Sequence, residues 1–419
     1  MSSIGWVDFS SEHREKVKSV IDRLSIPGVI DELGIGVIRD SFSDSLFPGI
    51  STIQTRAKYF LTIPRIFRDY QKRSPKKRRR KPLSVYLNEE ENRCMKAMVA
   101  NHEDDPQDGI IGESFAKKSG EVQRKPSSVY WTGLREFGLV QTRHSLQAFC
   151  RRFANPDQPL QDLVRGSKKE KGDDPEAGGA TGTKINGPSY DDDWVESLTV
   201  QLSAAEASFL SNQIQSRVPM SLMGQILLAP AVRKEFLDLP SDWNFTTLAD
   251  EASFMTNLPD ELQRTVIAAR DFWQLMAGAH IRYNCLLQRK HGTKTREEEF
   301  ESEFDHWLSQ LQSFSWERWD TDSLWKLTQL HKRKVKTYTI DFVVDWIDAV
   351  ADQASKTELD VLVTHQERLN KKGRARLHPA ADEKIDKWVG IDDLNYRLNV
   401  ARTIINDIDV GLSSEAGDA

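Results

Sequence analysis

Cysteine is scarce: Cys94, Cys150 and Cys285 are the only three in 419 residues, widely spaced and odd in number. They cannot build a disulfide framework, and alone they fall short of a four-ligand zinc site. Reduced, buried thiols in a cytoplasmic protein are the expectation. No apolar run approaches the roughly twenty residues that a membrane span needs, so no membrane partner is expected. The start, MSSIGWVDFSSEHREKVKSV, lacks the basic opening and apolar stretch of a secretory signal. Catalytic signatures are missing too. There is no HExxH or HxH, no paired Cys/His spacing, no GxSxG and no GxxxxGK[ST]. Asp341, Asp345 and Asp348 recur along one helix but alternate with Phe342, Val344 and Trp346, the pattern of a solvated face. His280, among apolar neighbours, reads as a hydrogen-bonded structural histidine. The expectation is a non-enzyme with no metal and no cofactor.

What is present is the composition of a folded protein: 38% hydrophobic and 29% charged residues, with 11 Trp and 18 Phe. Too many aromatics are available for burial to leave the whole chain disordered. The net charge of −5 hides an asymmetry. Residues 1–152 carry 27 Lys and Arg against 19 Asp and Glu, a net of +8, whereas the remainder carries 31 against 44, a net of −13. A basic front meets polyanions, and an acidic rear either keeps the chain soluble or meets a basic partner.

The periodicity predicts a mainly α protein. Residues 1–82 form an N-terminal helical region with a basic arm. Within it, Val17, Val20, Ile21 and Leu24 make one stripe, and a second helical run ends at Pro48-Gly49. A third run, capped by Ser51-Thr52, buries Ile53, Ala57, Phe60 and Leu61. On this third run Arg56, Lys58, Arg65 and Arg68 read as outward cations, and Pro64 is expected to kink or end the helix. Then come six consecutive basic residues, Lys76, Lys77, Arg78, Arg79, Arg80 and Lys81. Such a run is a solvated loop, a phosphate-binding arm or a localisation signal.

Residues 83–153 resemble a winged-helix-like module: a helix capped by Asn88, a short helix over Ile110–Ser119, a turn at Gly120, and a helix opening near Ser127. Within KPSSVYWTGLREFGLV, Tyr130, Leu134 and Phe137 share the core face. Lys125, Ser128, Trp131 and Arg135 then present a basic, aromatic outer face of the kind a recognition helix uses. Gly138 ends the helix and Leu139-Val140 starts an extended run. The following SLQAFCRRF has helical spacing at Leu146, Phe149, Cys150 and Phe153, so the wing is short or absent. Winged helices also serve as protein adaptors, and both uses stay open here. Residues 154–196, rich in Gly and Pro, read as a flexible linker. Residues 197–412 read as an acidic all-α domain opening with a Ser203–Glu206 capping box, and 413–419 as a tail. Inside the acidic half, Lys371, Lys372, Arg374 and Arg376 gather at a helix C-terminus, either as dipole-compensating cations capped at Gly373 or as a second polyanion contact.

GWVDFS at Gly5–Ser10, the stretch Glu32–Phe60 and LNYR at Leu394–Arg397 resemble an uncharacterised bacterial protein family, over most of the chain except residues 155–196. Such proteins look like ones encoded beside helicases and phospholipase-D-like nucleases in phage-defence or mobile-element loci. The resemblance implies a defence accessory and transfers no catalytic residue. The functional expectation is a non-catalytic nucleic-acid-binding accessory protein. It contacts DNA or RNA backbone through the basic half and presents its helical half to a helicase or nuclease partner. The alternative is a protein–protein scaffold with no nucleic-acid contact.

Overall fold

The computed structural model describes residues 31–116, 124–153, 184–240, 243–378, 385, 387–391 and 394–414. The stripe at Val17–Leu24, the turn at Gly120 and most of the expected linker lie outside them. Among the described residues the structure is helical and contains no strand. Its one extended pairing there is an antiparallel bridge between Val140 and Ile185.

The chain folds into two compact units that do not follow its order. Helix α1 (Gly36–Leu46) carries the chain from one into the other. The arm unit holds α2 (Tyr59–Lys72), α3 (Pro75–Arg80), α4 (Leu83–Asn101), α5 (Glu113–Ala116), α6 (Pro126–Glu136) and α7 (Leu146–Phe153). It continues with α8 (Ala204–Arg217), α9 (Leu222–Leu228) and α10 (Pro230–Asp238). The long-helix unit, apart from residues 256–258, holds α11 (Phe245–Asp250), α12 (Ala252–Thr256), α13 (Asp260–His291) and α14 (Lys294–Leu311), then α15 (Thr321–Leu330), α16 (Thr337–Ala351) and α17 (Lys356–Lys371). Helix α18 (Leu398–Ser413) returns to the arm unit.

Within the long-helix unit, α13 runs for 32 residues, and α14 folds back along it. A Cβ at Gly278 would come within 2.3 Å of the Trp307 ring, so only glycine lets α14 approach there. Trp307 and Trp346 each bury their ring and donate Nε1–H to the carbonyls of Gln274 (2.7 Å) and Leu275 (2.9 Å). The fully buried Glu367 accepts hydrogen bonds from Tyr283 Oη and from the backbone N–H groups of Arg376 and Leu377.

In the arm unit, α2 and α6 cross over an aromatic core. Phe60 meets Tyr130 edge-on at 4.9 Å and Phe137 at 5.1 Å. A Cβ at Gly133 would lie 2.4 Å from the Gly49 carbonyl oxygen, so the expected Pro48-Gly49 stop is also where α6 packs. Tyr130 Oη accepts from the N–H groups of Thr55 and Arg56 and donates to the Arg56 carbonyl. The third predicted helix accordingly starts late, at Tyr59, because residues 51–57 form turns bound to Tyr130 and Gln54. It then runs through Pro64 to Lys72, all of 59–67 being buried. Burial of that whole stretch outweighs the one hydrogen bond that proline forgoes.

Two further expectations change. Helix α4 begins at Leu83, which leaves Asn88 inside it, hydrogen-bonded to Lys125, rather than capping. Residues 184–196, read as linker, pack on α2 and on the chain after α6: Trp194 donates Nε1–H to Asp69, and the N–H of Asn186 meets the Leu139 carbonyl. SLQAFCRRF is the helix α7, as its spacing predicts.

Candidate nucleic-acid interface

Eight of the ten residues from Lys72 to Lys81 are cations, with no acid among them. The sequence marks this run as charged but not as ordered. Ser74 stands extended before Pro75 at the first helical position, and the backbone closes the α3 turns from Arg78 N to Ser74 O and from Lys81 N to Lys77 O. The anchor is Tyr70. Its buried hydroxyl lies 3.0 Å from the Lys81 carbonyl oxygen and 3.4 Å from that of Arg78, tying the end of α3 to α2. Tyr70 in turn packs on Tyr86, and the Arg73 guanidinium sits 4.8 Å from the Tyr86 ring centre.

Lys76, Lys77, Arg79 and Arg80 are exposed, Arg78 is half-buried, and Lys81 pairs with Glu89. Lys76, Lys77 and Arg80 have no carboxylate partner among the described residues, and the Nε donors of Arg73 and Arg78 have no acceptor. Like charges one turn apart cost about 0.2–0.5 kcal/mol per pair, so α3 is a helix held against its own repulsion. A polyanion removes that cost.

Beside it, α7 lies across α4, and the Phe149 ring meets Phe67 and Trp131, each at 5.2 Å. Arg151 and Arg152 are exposed on α7, and Arg143 precedes it. Burial lowers the His144 pKa, and Arg152 and Arg135 lower it further. Helix α3 is tied to Tyr70 and α7 packs on Phe67, one turn earlier, so both are held by the same helix, α2.

One family model matches residues 1–168 and 174–411, which takes in the long-helix unit and nearly all of the arm unit. The chain belongs to the family of unknown function DUF6361. The DUF6361 match takes in α3, α7 and residues 184–196, so the basic surface lies within the family's extent. No curated protein and no solved structure gives a significant match.

The remaining predicted site residues go elsewhere. Lys58 and Arg65 turn inward to Glu206, at 2.7 and 2.6 Å, all three buried. Burial works against the Glu206 charge, but Lys58 and Arg65 hold its pKa below the ordinary carboxylate value. Arg56 pairs with Asp407 at 2.9 Å, and Arg68 donates to the carbonyls of Pro188 (2.7 Å) and Gly187. Trp131, expected on an outer face, is 7% exposed, because α7 folds back over it; its Nε1–H reaches the His144 carbonyl. Arg135 donates to the Thr142 carbonyl, Lys125 meets Asn88, and Ser128 is exposed. In the long-helix unit, Lys371 and Arg376 converge on the buried Glu32, while Lys372 and Arg374 are exposed. The cap there is Lys372 itself, at φ 55°, rather than Gly373. Missing from the sequence reading were Arg143, Arg151 and Arg152. The stripe Leu146–Phe149–Cys150 already left Arg151 on the opposite face, which was the available signal.

Cys285 Sγ, Glu297 and Glu301 place ligand-type atoms within 4.8 Å of one another in the long-helix unit. Their charge is already matched. Glu301 meets Arg282, Arg289 and Lys356, and Glu297 meets Arg289. Burial would raise the Glu301 pKa, yet the Cys285 thiol, Lys356 and Arg282 hold it at about 2. Burial pushes the Cys285 thiol up to about 12. A metal would have to displace three cations and deprotonate that thiol, so these residues fit an ion-pair network. His280 is buried with both ring nitrogens unpartnered, not hydrogen-bonded as expected; burial and Arg39 lower its pKa to about 3, keeping it neutral.

Proposed function

We propose that this protein is a non-catalytic binder of nucleic-acid backbone, with α3 as the principal contact and the α7 cations beside it. The observation that carries the reading is the set of exposed cations on α3, in a run with no acid, held in place by Tyr70 rather than left as a mobile tail. Pre-ordering lowers the entropy cost of binding, and cations on backbone phosphates confer affinity without reading bases. Of the winged-helix-like reading of 83–153, the proposal keeps the module and moves the contact from α6 to its neighbours. In the setting that the resemblance implies, such a protein would hold a strand for a helicase or nuclease partner in anti-phage defence.

The test is binding of labelled single- and double-stranded DNA and RNA by the full chain, as a function of salt. Replacing Lys76, Lys77, Arg79 and Arg80 by Gln should abolish most binding. It should also reduce the slope of log affinity against log salt by about 0.7–0.9 for each phosphate no longer neutralised. The melting temperature should hold or rise, since repulsion is relieved. Unchanged binding by that variant would overturn the proposal.

A further inference from the structure

Arg65, Arg68, Asp69 and Lys72 fall at i, i+3, i+4 and i+7 along α2 and so form one stripe, which leads through Arg73 into α3. A segment that the sequence marks only as linker lies over that stripe. Tyr190 stacks on three of its cations: the charge centres of Arg68, Lys72 and Arg65 are 4.7, 4.8 and 5.4 Å from the ring centroid. Asp192, 96% exposed, reaches Lys72 at 3.1 Å. The carbonyls of Gly187 and Pro188 take up Arg68. Tyr190 Oη and Trp194 Nε1 both donate to Asp69, at 2.8 Å each. An aromatic ring, a carboxylate and two carbonyl oxygens thus occupy cations that continue the α3 surface.

We propose that the α2 stripe is a second nucleic-acid contact, closed in the resting chain by residues 187–192, whose Tyr190 ring and Asp192 carboxylate stand where a base and a phosphate would bind. This rests on the reading of α3 above. The segment has two fixed ends: buried Trp194 after it, and Asn186 before it, whose N–H meets the Leu139 carbonyl. Between the ends, the exposed Asp192–Lys72 pair, the Tyr190 cation–π stacks and the Arg68 bonds to two carbonyls are contacts that a polyanion can replace, at the cost of the Tyr190 hydrogen bond to Asp69. Arg65 stays on Glu206 in either state and Lys72 keeps Asp69 at 3.5 Å, so Arg68 is the cation released outright and Lys72 the one relieved of Asp192. The ligand they fit is a flexible single strand, since a stacking base and its neighbouring phosphate are what the strap imitates.

Fluorescence anisotropy of the full chain with a labelled single-stranded oligonucleotide tests this. Tyr190→Ala with Asp192→Asn should tighten binding by about fivefold and steepen the salt slope by about 0.7. Asp104→Asn, on an exposed acid after α4, removes the same single charge and controls for net charge. Arg68→Gln should have little effect in the wild type and should cancel the gain in the opened variant. Asp192→Asn alone, on a side chain too exposed to affect folding, should give a smaller gain of the same sign. The inference is overturned if the opened variant binds no tighter than the charge control, or if Arg68→Gln costs the same in both backgrounds. Loss of binding on neutralising α3 reports on the function itself, so failure of the strap alone leaves that reading standing.

Discussion

Glu91 is 3% exposed in α4, and its carboxylate accepts the N–H of Ser127 at 2.6 Å, in the first turn of α6. Burial raises its pKa from 4.5 to about 7, against the pull of Ser127 and Lys125. Between those values the folded state keeps a proton that the unfolded chain has released. Stability therefore falls as pH rises through this window and levels off above it. Glu91→Gln retains an acceptor for Ser127 and removes the charge. It should flatten that dependence and stabilise the fold by up to about 3 kcal/mol above pH 7, as urea melts across the range would show. Glu206 carries the opposite liability: Glu206→Gln strands the buried Lys58 and Arg65 and should cost about 3–5 kcal/mol, visible in the denaturation midpoint. The residue types at both sites were plain in the sequence. Partners 141 and 148 residues away were not, so Lys58 and Arg65 read as surface cations when they are interior ones.

Helices were the most legible level, wherever capping or periodicity is local. The Ser203–Glu206 box stands where the spacing puts it, and in the same half Ser221 caps α9 and Gly292 follows the end of α13. Gly138, at φ +66°, ends α6 as expected. Legibility failed where another element decides. Trp131 reads as outward because no local pattern shows α7 returning over it, and α3 reads as a charge run because its order comes from Tyr70. Gly133 shows the same dependence in α6: Gly133→Ala places a methyl against the Gly49 carbonyl and Phe60. It should destabilise by about 1–3 kcal/mol, whereas the helix alone would gain from alanine. Thermal melts of that variant separate the two effects by sign.

The whole molecule is two units woven from interrupted segments, so cuts that look natural along the chain run through cores. Residues 197–419 expressed alone lack Lys58, Arg65 and Arg56, so Glu206 and Asp407 lose both their cations and the elements that pack on them. That fragment should show a reduced, non-cooperative thermal transition by circular dichroism, while the full chain melts cooperatively. The helical class, most helix ends, the charge asymmetry and the basic run can be read along the chain. All of these are properties of neighbouring residues, where spacing and side-chain chemistry act directly. Only the tertiary structure decided which cations face water, because burial and pairing join residues far apart in the chain. It turned Lys58, Arg65 and Trp131 inward, kept the α3 cations outward, and laid Tyr190 over the ones between.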